Sequence, residues 1–245
     1  MRNKVIVITG ATRGLGLMLA NYWQKENTVI GISRTKTPKL DPTVHHYACN
    51  LENFSQTEYT VKNICKDFPK IDLLINNAAS LTSLPLAIIN TTDISRMIDI
   101  NLKAPILISK IIFRKMITKH SGQIINILSM SPKLSVVGDS VYAATKCGLE
   151  AFAKILNKEG HPSGVHVNNI GLSAFPTDML KTIALNNPKK IINLIPHMQY
   201  APIEEIIATI EFFFHNSKDI GGQTMYFGGI WSSMSLVILK FTDFC

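Results

Sequence analysis

The sequence predicts an α/β fold: a doubly wound parallel sheet of about seven strands with helices on both faces. Short apolar, β-branched segments alternate with longer segments of helical period along nearly the whole chain. The strand segments are apolar on both faces, which is typical of parallel strands covered by helices on each side. No Ser/Gly/Pro-rich linker divides the 245 residues, so we expect a single domain over 1–245.

The expected elements follow from where these two patterns begin and end. We place strands at residues 4–9, 28–32, 44–48, 71–76, 123–129, 164–170 and 223–227. We place helices at 14–25, 55–66, 93–118, 141–159 and 202–215. Pro105 lies inside the third helix, so we expect a break or kink shortly after Asn101.

Composition and charge exclude several classes of function. Apolar residues make up 46% of the chain and charged residues 17%, which supports a sizeable core and excludes a disordered chain. The net charge is +8, from 25 Lys and Arg against 17 Asp and Glu, but the basic residues are scattered, so no nucleic-acid partner is expected. No apolar stretch reaches the roughly 18 residues of a membrane span. The four cysteines and the histidines lack metal-ligand spacing, which predicts reduced thiols, no metal site and a cytoplasmic protein.

A glycine-rich turn follows the first predicted strand. Thr9-Gly10-Ala11-Thr12-Arg13-Gly14-Leu15-Gly16 joins that strand to the first helix. Glycine there lets the backbone approach a pyrophosphate, whose charge faces the N–H groups at the positive end of the helix. The spacing is G-x-x-x-G-x-G and not the G-x-G-x-x-G of many dinucleotide folds, so a tight strand–helix connection without a ligand remains an alternative.

The end of the second strand bears on the choice between NAD and NADP. The strand ends at Ser33-Arg34, and no carboxylate follows until Asp41. An acid at this place holds the ribose 2′-hydroxyl of NAD, whereas an arginine accommodates the 2′-phosphate of NADP. Arg13 in the glycine turn can approach the same phosphate. Arg13, Ser33 and Arg34 together therefore favour NADP(H).

A tyrosine and a lysine, Tyr142 and Lys146, lie one turn apart in the fourth predicted helix. A phenol with a pKa near 10 is a poor acid–base catalyst at neutral pH, and a neighbouring ammonium favours its phenolate. Y-x-x-x-K alone usually marks a surface helix. Ser129, however, ends the fifth strand at the carboxyl edge, where such sheets bind their ligands, and this favours a catalytic interpretation.

Five motifs in this order resemble the short-chain dehydrogenase/reductase family, and the resemblance covers nearly the whole chain. They are Thr9–Gly16 for T-G-x-x-x-G-x-G, Asn76-Asn77-Ala78-Ala79 for N-N-A-G, Asn101 for the helix asparagine, Ser129 for the serine, and Tyr142 with Lys146 for Y-x-x-x-K. The resemblance implies a Rossmann-type fold and an oxidoreductase, and among the family's members the β-ketoacyl thioester reductases are the most similar.

The resemblance also implies a role for each residue. Tyr142 would donate a proton to the substrate carbonyl oxygen, and Ser129 would hydrogen-bond that oxygen. Lys146 would lower the pKa of Tyr142 and hold the nicotinamide ribose, and Asn101 would position a water that links Lys146 to solvent. The expected cofactor contacts are Gly10, Thr12, Arg13, Gly14, Leu15, Gly16, Ser33, Arg34, Asn50, Leu51, Asn77, Ala78, Ala79, Tyr142, Lys146 and Thr177.

The chain departs from the family pattern after the sixth strand. Leu172-Ser173 stands where Pro-Gly is usual, which leaves the path of the backbone toward Thr177 open. The apolar loop at about 178–201 is expected either to bind substrate or to form an amphipathic helix pair. The apolar tail at about 230–245 is expected to pack on a neighbouring subunit of a homotetramer or homodimer.

The expected function is NADPH-dependent reduction of a ketone, with a β-ketoacyl thioester as substrate and an acyl carrier protein as partner. One alternative is an oxidoreductase for a small free ketone or alcohol. Another, from a different class, is an inactive NADP(H)-binding sensor or scaffold. Retention of Asn101, Ser129, Tyr142 and Lys146 argues against the inactive protein, and Leu172-Ser173 is its only support.

Overall fold

The computed structural model of the chain describes residues 1–173, 200–216 and 220–228. Within these residues there are seven strands, β1 (Val5–Thr9), β2 (Thr28–Ser33), β3 (His45–Ala48), β4 (Leu73–Asn76), β5 (Gly122–Ser129), β6 (Val165–Leu172) and β7 (Thr224–Phe227). They form one sheet in the order β3-β2-β1-β4-β5-β6-β7, and every neighbouring pair is parallel. The predicted doubly wound parallel sheet is confirmed.

Helices connect the strands, as the alternating pattern predicted. They are α1 (Gly14–Trp23), α2 (Phe54–Asp67), α3 (Thr91–Ile98), α4 (Ala104–Thr118), α5 (Ser131–Leu134), α6 (Ser140–Gly160) and α7 (Ile203–His215). The expected helix at 93–118 is corrected to two helices joined by a π-helical turn, Asp99–Lys103. Pro105 lies at the start of α4, where its missing N–H costs little. The short helix α5 was not predicted.

Helices cover both faces of the sheet because side chains alternate along each strand. In β1, Ile6 and Ile8 pack with residues of α1 and α7 on one face. Val7 packs with residues of α2, α4 and α6 on the other face. All three side chains are fully buried, and burial of each such side chain stabilises the fold by about 1.5–3 kcal/mol. The continuous apolar character of the strand is therefore explained by its two covered faces.

A row of buried asparagines holds β4, β5 and β6 in register. Asn76, Asn126 and Asn169 lie opposite one another in the sheet. The Nδ2 atom of Asn76 donates to Oδ1 of Asn126 at 2.9 Å, and Nδ2 of Asn126 donates to Oδ1 of Asn169 at 3.0 Å. A slip of one residue would leave these amides unpaired inside the core, so the row determines which residues reach the carboxyl edge of the sheet.

Three predicted features lie outside the described residues: Thr177, nearly all of the loop at about 178–201, and the tail at about 230–245. Among the residues that are described, no helix combines the length and apolar composition needed to cross a membrane. This part of the chain also contains no group of three or more His, Cys, Asp or Glu side chains placed to hold a metal ion.

Candidate active site

The glycines of the turn between β1 and α1 are not readily replaced by residues that carry a side chain. Gly10 has a φ of +70° and Gly14 a φ of +52°, in the left-handed region that favours glycine. A Cβ atom at Gly16 would lie 2.5 Å from Nδ2 of Asn77 and would overlap the Gly10 carbonyl. Helix α1 begins at Gly14, with unpaired N–H groups in its first turn. The turn therefore presents backbone to any ligand at this edge.

Thr9 and Asn77 join the glycine-rich turn to the end of β4. The Nδ2 atom of Asn77 donates to the Thr9 carbonyl at 2.9 Å. The Oγ1 atom of Thr9 accepts hydrogen bonds from the backbone N–H groups of Asn77 and Ala78, each at 3.0 Å. Asn77 and Ala78 thus lie beside the turn, and Ala79 follows them as a partly buried residue.

The end of β2 lies next to the same turn, since the Gly10 N–H donates to the Ile32 carbonyl at 2.7 Å. Arg13 in the turn and Arg34 just after β2 are both exposed. No carboxylate stands between Arg34 and Asp41 in the sequence. The edge therefore offers positive charge where a ribose phosphate of a dinucleotide would lie.

The Ser33 hydroxyl already has partners at this edge. Its Oγ atom lies 3.2 Å from the Thr35 carbonyl oxygen and 2.8 Å from Nε2 of His46. Burial and the nearby Lys36 ammonium lower the pKa of His46. A hydrogen bond from Ser33 to a phosphate would compete with these partners. Neither His46 nor Lys36 was predicted to lie at this site, although Lys36 follows Arg34 as a second cation in the loop after β2.

The remaining predicted cofactor contacts occupy the same region with different exposure. Leu15 and Leu51 are buried, whereas Thr12 is partly buried and Asn50 is exposed. The Oδ1 atom of Asn50 accepts a hydrogen bond from the Glu52 backbone N–H at 3.3 Å. Asn50 and Leu51 follow β3 at the carboxyl edge.

The predicted catalytic residues come together at the start of α6. Tyr142 and Lys146 lie on α6 and are 8% and 4% exposed. Ser129, the last residue of β5, lies close enough to the Tyr142 phenol for its hydroxyl to lower the pKa of Tyr142. The Nζ atom of Lys146 donates to the Ile127 carbonyl of β5 at 2.8 Å. Strand β5 thus positions both side chains of the Y-x-x-x-K pair.

Asn101 reaches the same place from the π-helical turn, a local widening that is frequent at functional sites. Its Oδ1 accepts from the Ser80 N–H at 2.7 Å, and its Nδ2 donates to the Ser80 carbonyl at 2.8 Å. Its Nδ2 also donates to Oγ1 of Thr145 at 3.3 Å, and Thr145 donates to the Tyr142 carbonyl at 2.7 Å. Asn101 therefore fastens the loop after β4 to α6. Thr145 was not predicted, because it is a variable position of Y-x-x-x-K.

Burial dominates the acid–base properties of the Tyr142 and Lys146 pair. Burial raises the pKa of Tyr142 to about 12; the nearby Ser129 hydroxyl acts to lower this pKa, and the Asp139 carboxylate raises it further. Burial lowers the pKa of Lys146 to about 8. The Nζ atom of Lys146 lies 5.6 Å from the centre of the Tyr142 ring. Removal of water from around the phenol therefore sets the direction of the Tyr142 pKa shift, and the lowering of this pKa by Lys146 stays a prediction.

Leu172-Ser173, which stands where the family usually has Pro-Gly, lies at the end of β6. Leu172 is buried and paired with Ser129, and its carbonyl accepts a hydrogen bond from the Met130 N–H at 2.8 Å. A proline here could not donate a backbone hydrogen bond. The Ser173 hydroxyl is buried and has no hydrogen-bond partner within the described residues. Leu172 thus ends β6 opposite Ser129, and Ser173 brings a polar group to this edge.

Comparisons with known proteins identify the family. The family model described as short chain dehydrogenase matches residues 4–188. The 3-oxoacyl-(acyl-carrier-protein) reductase FabG of Buchnera aphidicola subsp. Baizongia pistaciae is 30% identical over 235 residues, 92% of this chain and 96% of that protein. The aldohexose dehydrogenase of Thermoplasma acidophilum superposes with a TM-score of 0.85 at 23% identity, covering 96% of this chain and 97% of that one. Actinorhodin polyketide ketoreductase with NADPH superposes with a TM-score of 0.83 at 22% identity, covering 94% and 98%.

This chain belongs to the short-chain dehydrogenase/reductase family and is an oxidoreductase. The family uses NAD(H) or NADP(H), and the residues at the sheet edge fit such a dinucleotide. A Cβ at Gly16 would overlap the Gly10 carbonyl, so glycine lets the start of α1 lie directly against the backbone of the turn. Lys146 has three N–H donors, of which one is paired within the described residues, to Ile127. The site therefore offers backbone N–H groups for a pyrophosphate and an ammonium for ribose hydroxyls.

Proposed function

We propose that this chain is an NADPH-dependent ketoreductase that reduces a β-ketoacyl thioester. The observation that carries the proposal is the Tyr142 side chain, which is buried beside Ser129 at the carboxyl edge of the sheet. With a pKa of about 12, the phenol keeps its proton at neutral pH. A protonated phenol can donate to a carbonyl oxygen, as the reduction requires.

Each catalytic side chain has a separate task in this proposal. NADPH, when bound, supplies the hydride that the carbonyl carbon receives. Tyr142 donates its phenolic proton to the carbonyl oxygen, and the Ser129 hydroxyl stabilises the negative charge that develops there. Lys146 holds the ribose hydroxyls with the N–H groups that Ile127 does not use. Asn101 keeps the loop after β4 against α6 and orders the water that returns a proton through Lys146.

The choice of NADPH rests on the charge around the glycine-rich turn. Arg13 and Arg34 are exposed at this edge, and Lys36 lies close enough to His46 to affect its pKa. A 2′-phosphate adds negative charge that these cations would pair with, whereas a bare 2′-hydroxyl is better served by a carboxylate.

The choice of a β-ketoacyl thioester rests on the relatives. The FabG of Buchnera aphidicola is named for a 3-oxoacyl group on an acyl carrier protein. The net charge of +8 suits an acidic carrier protein as the partner that presents the substrate. The second candidate function is oxidation or reduction of a small free alcohol or ketone, which the fold of an aldohexose dehydrogenase also supports.

The test measures loss of NADPH absorbance with a panel of β-ketoacyl thioesters, free ketones and sugars. We expect turnover of the thioesters with NADPH, and a loss of about 10²–10⁴-fold in kcat for Tyr142→Phe, since that is the usual contribution of a general acid. NADPH binding by Tyr142→Phe, followed by fluorescence, should remain. The matched control is Tyr59→Phe, because Tyr59 is 68% exposed on α2.

Other outcomes distinguish the alternatives. Turnover of free alcohols or sugars but not of thioesters would favour the second candidate function. NADPH binding without turnover of any substrate would favour the inactive sensor or scaffold. Full activity of Tyr142→Phe would contradict the catalytic assignment itself.

A further inference from the structure

We propose that Asp139 is a positioning residue of this active site, whose carboxylate fastens the segments that follow β4 and β5 to the start of α6. Asp139 directly precedes α6 and is 6% exposed. Its Oδ1 accepts a hydrogen bond from the Ser83 hydroxyl, and its Oδ2 accepts one from the Ser131 hydroxyl, each at 2.6 Å. Hydroxyl bonds this short are typical of a charged acceptor and are stronger than neutral ones.

The carboxylate does not serve the helix that it precedes. An aspartate in this position usually accepts a hydrogen bond from an N–H group of the first turn. Asp139 makes no such bond, and both of its oxygens face the two serines instead. Helix α6 bonds only the backbone of Asp139 within the described residues: the Ala143 N–H donates to the Asp139 carbonyl at 2.7 Å. Its side chain is thus committed to the two segments and not to the helix.

The two serines belong to segments that border the catalytic residues. Ser131 is two residues beyond Ser129, and its N–H donates to the Ser129 Oγ at 3.0 Å. Ser83 lies in the loop after β4, where the next residue, Leu84, donates its N–H to the Gly138 carbonyl at 3.0 Å. One carboxylate therefore connects the segment after Ser129 and the loop after β4 to the helix that carries Tyr142.

Asp139 also contributes charge near the phenol, since its carboxylate raises the pKa of Tyr142. Among the described residues, α3 and the π-helical turn pack against α6, and each carries an ion pair. Asp99 pairs with Lys103, and Asp93 pairs with Arg96. Three further charged groups lie on α5 or α6. Lys146 lies 5.6 Å from the centre of the Tyr142 ring, and Glu150 pairs with Lys154 further along α6. Lys133 of α5 lies over the Tyr226 ring.

The proposal rests on Tyr142 being the proton donor, so the test keeps the two ideas separate. In Asp139→Asn, one of the two serine hydroxyls loses its acceptor, because an amide nitrogen only donates. We expect kcat for the ketone to fall about tenfold or more, as misplaced reacting groups cause, while the KM for NADPH changes by less than about twofold. The matched control is Asp67→Asn, an exposed carboxylate at the end of α2.

A pH profile separates positioning with charge from loss of structure alone. Removal of the carboxylate lowers the pKa of Tyr142, so alcohol oxidation, which needs the phenolate, should reach half of its own maximal rate at lower pH in Asp139→Asn than in the parent. A purely structural loss would reduce the rate equally at every pH. An unshifted profile would therefore overturn the part of the proposal that concerns charge.

Ser83→Ala and Ser131→Ala keep the proposal testable if Asp139→Asn does not fold. Each serine variant removes one hydrogen bond, and each should lower kcat by less than Asp139→Asn. In a double-mutant cycle, Ser131→Ala should cost little more once Asp139 is already asparagine. Parental kinetics in both serine variants would overturn the positioning role. Activity that survives in Tyr142→Phe would instead overturn the proposed function.

Discussion

The Nζ atom of Lys146 donates a 2.8 Å hydrogen bond to the carbonyl oxygen of Ile127, two residues before Ser129 in β5. This bond aligns α6 along the strand that ends in Ser129. It also draws an ammonium into the interior, where Lys146 is 4% exposed. Burial, with no carboxylate partner in the part of the chain that the structure describes, explains why the pKa of Lys146 falls to about 8.

The first prediction concerns the pH dependence of the unfolding free energy that results from the burial of Lys146. Its folded pKa of about 8 is below its ordinary value of 10.5, so between these values the unfolded chain binds the additional proton. The cost of burying the charge is complete below pH 8 and is relieved as the pH rises to 10.5. The stability of the parent should therefore rise relative to Lys146→Met over this window, by about 3 kcal/mol.

Denaturant unfolding at several pH values, without cofactor, measures this difference. The control is Lys158→Met, which removes an exposed lysine from the same helix and should change little with pH. A parent and a Lys146→Met variant whose unfolding free energies stay parallel across the window would contradict the prediction.

The second prediction concerns the cofactor phosphate. Arg34→Ala should raise the KM for NADPH about 10–100-fold, because a hydrogen bond between charged groups contributes about 1.5–3 kcal/mol. The KM for NADH should change by less than about twofold, since NADH lacks the 2′-phosphate. Arg114→Ala, which removes an exposed arginine from α4, is the matched control. Better turnover with NADH than with NADPH in the parent would count against the role of Arg34.

The third prediction concerns the glycine-rich turn. The methyl group of Gly16→Ala would overlap the Gly10 carbonyl and lie 2.5 Å from Nδ2 of Asn77, so the turn must open. Overpacking of this kind costs about 1–3 kcal/mol. We expect a lower thermal midpoint and at least a tenfold weaker NADPH affinity, because a loss of about 1.4 kcal/mol is tenfold in affinity.

Gly148→Ala on α6 is the control for a glycine in a less restrictive place. Its methyl would meet the flexible Leu102 side chain at 3.2 Å, and alanine favours helix more than glycine. It should bind NADPH as the parent does. Parental NADPH affinity in Gly16→Ala would show that the turn does not hold the dinucleotide.

Particular residues show which parts of the fold and of the candidate site could be predicted from the sequence. The runs around Val5–Thr9 and Gly122–Ser129 were recognised because strands covered on both faces are apolar at nearly every position. Ser129 and Tyr142 were found because parallel strands bring their carboxyl ends to one edge and a Y-x-x-x-K pair shares a helix face. The π-helical turn at Asp99–Lys103 was missed, since Pro105 signals an interruption but not its hydrogen-bond pattern.

The sequence by itself determined the order of elements and the parallel sheet, because these depend on local periodicity. Its resemblance to the family predicted that Asn101, Ser129, Tyr142 and Lys146 share one site. Only the tertiary structure decided that Ser33 is engaged by His46, that Asp139 accepts from Ser83 and Ser131, and that the Tyr142 pKa lies above its ordinary value. Each of these depends on which distant side chains meet and how much water they exclude, and neither quantity is written in the spacing of residues along the chain.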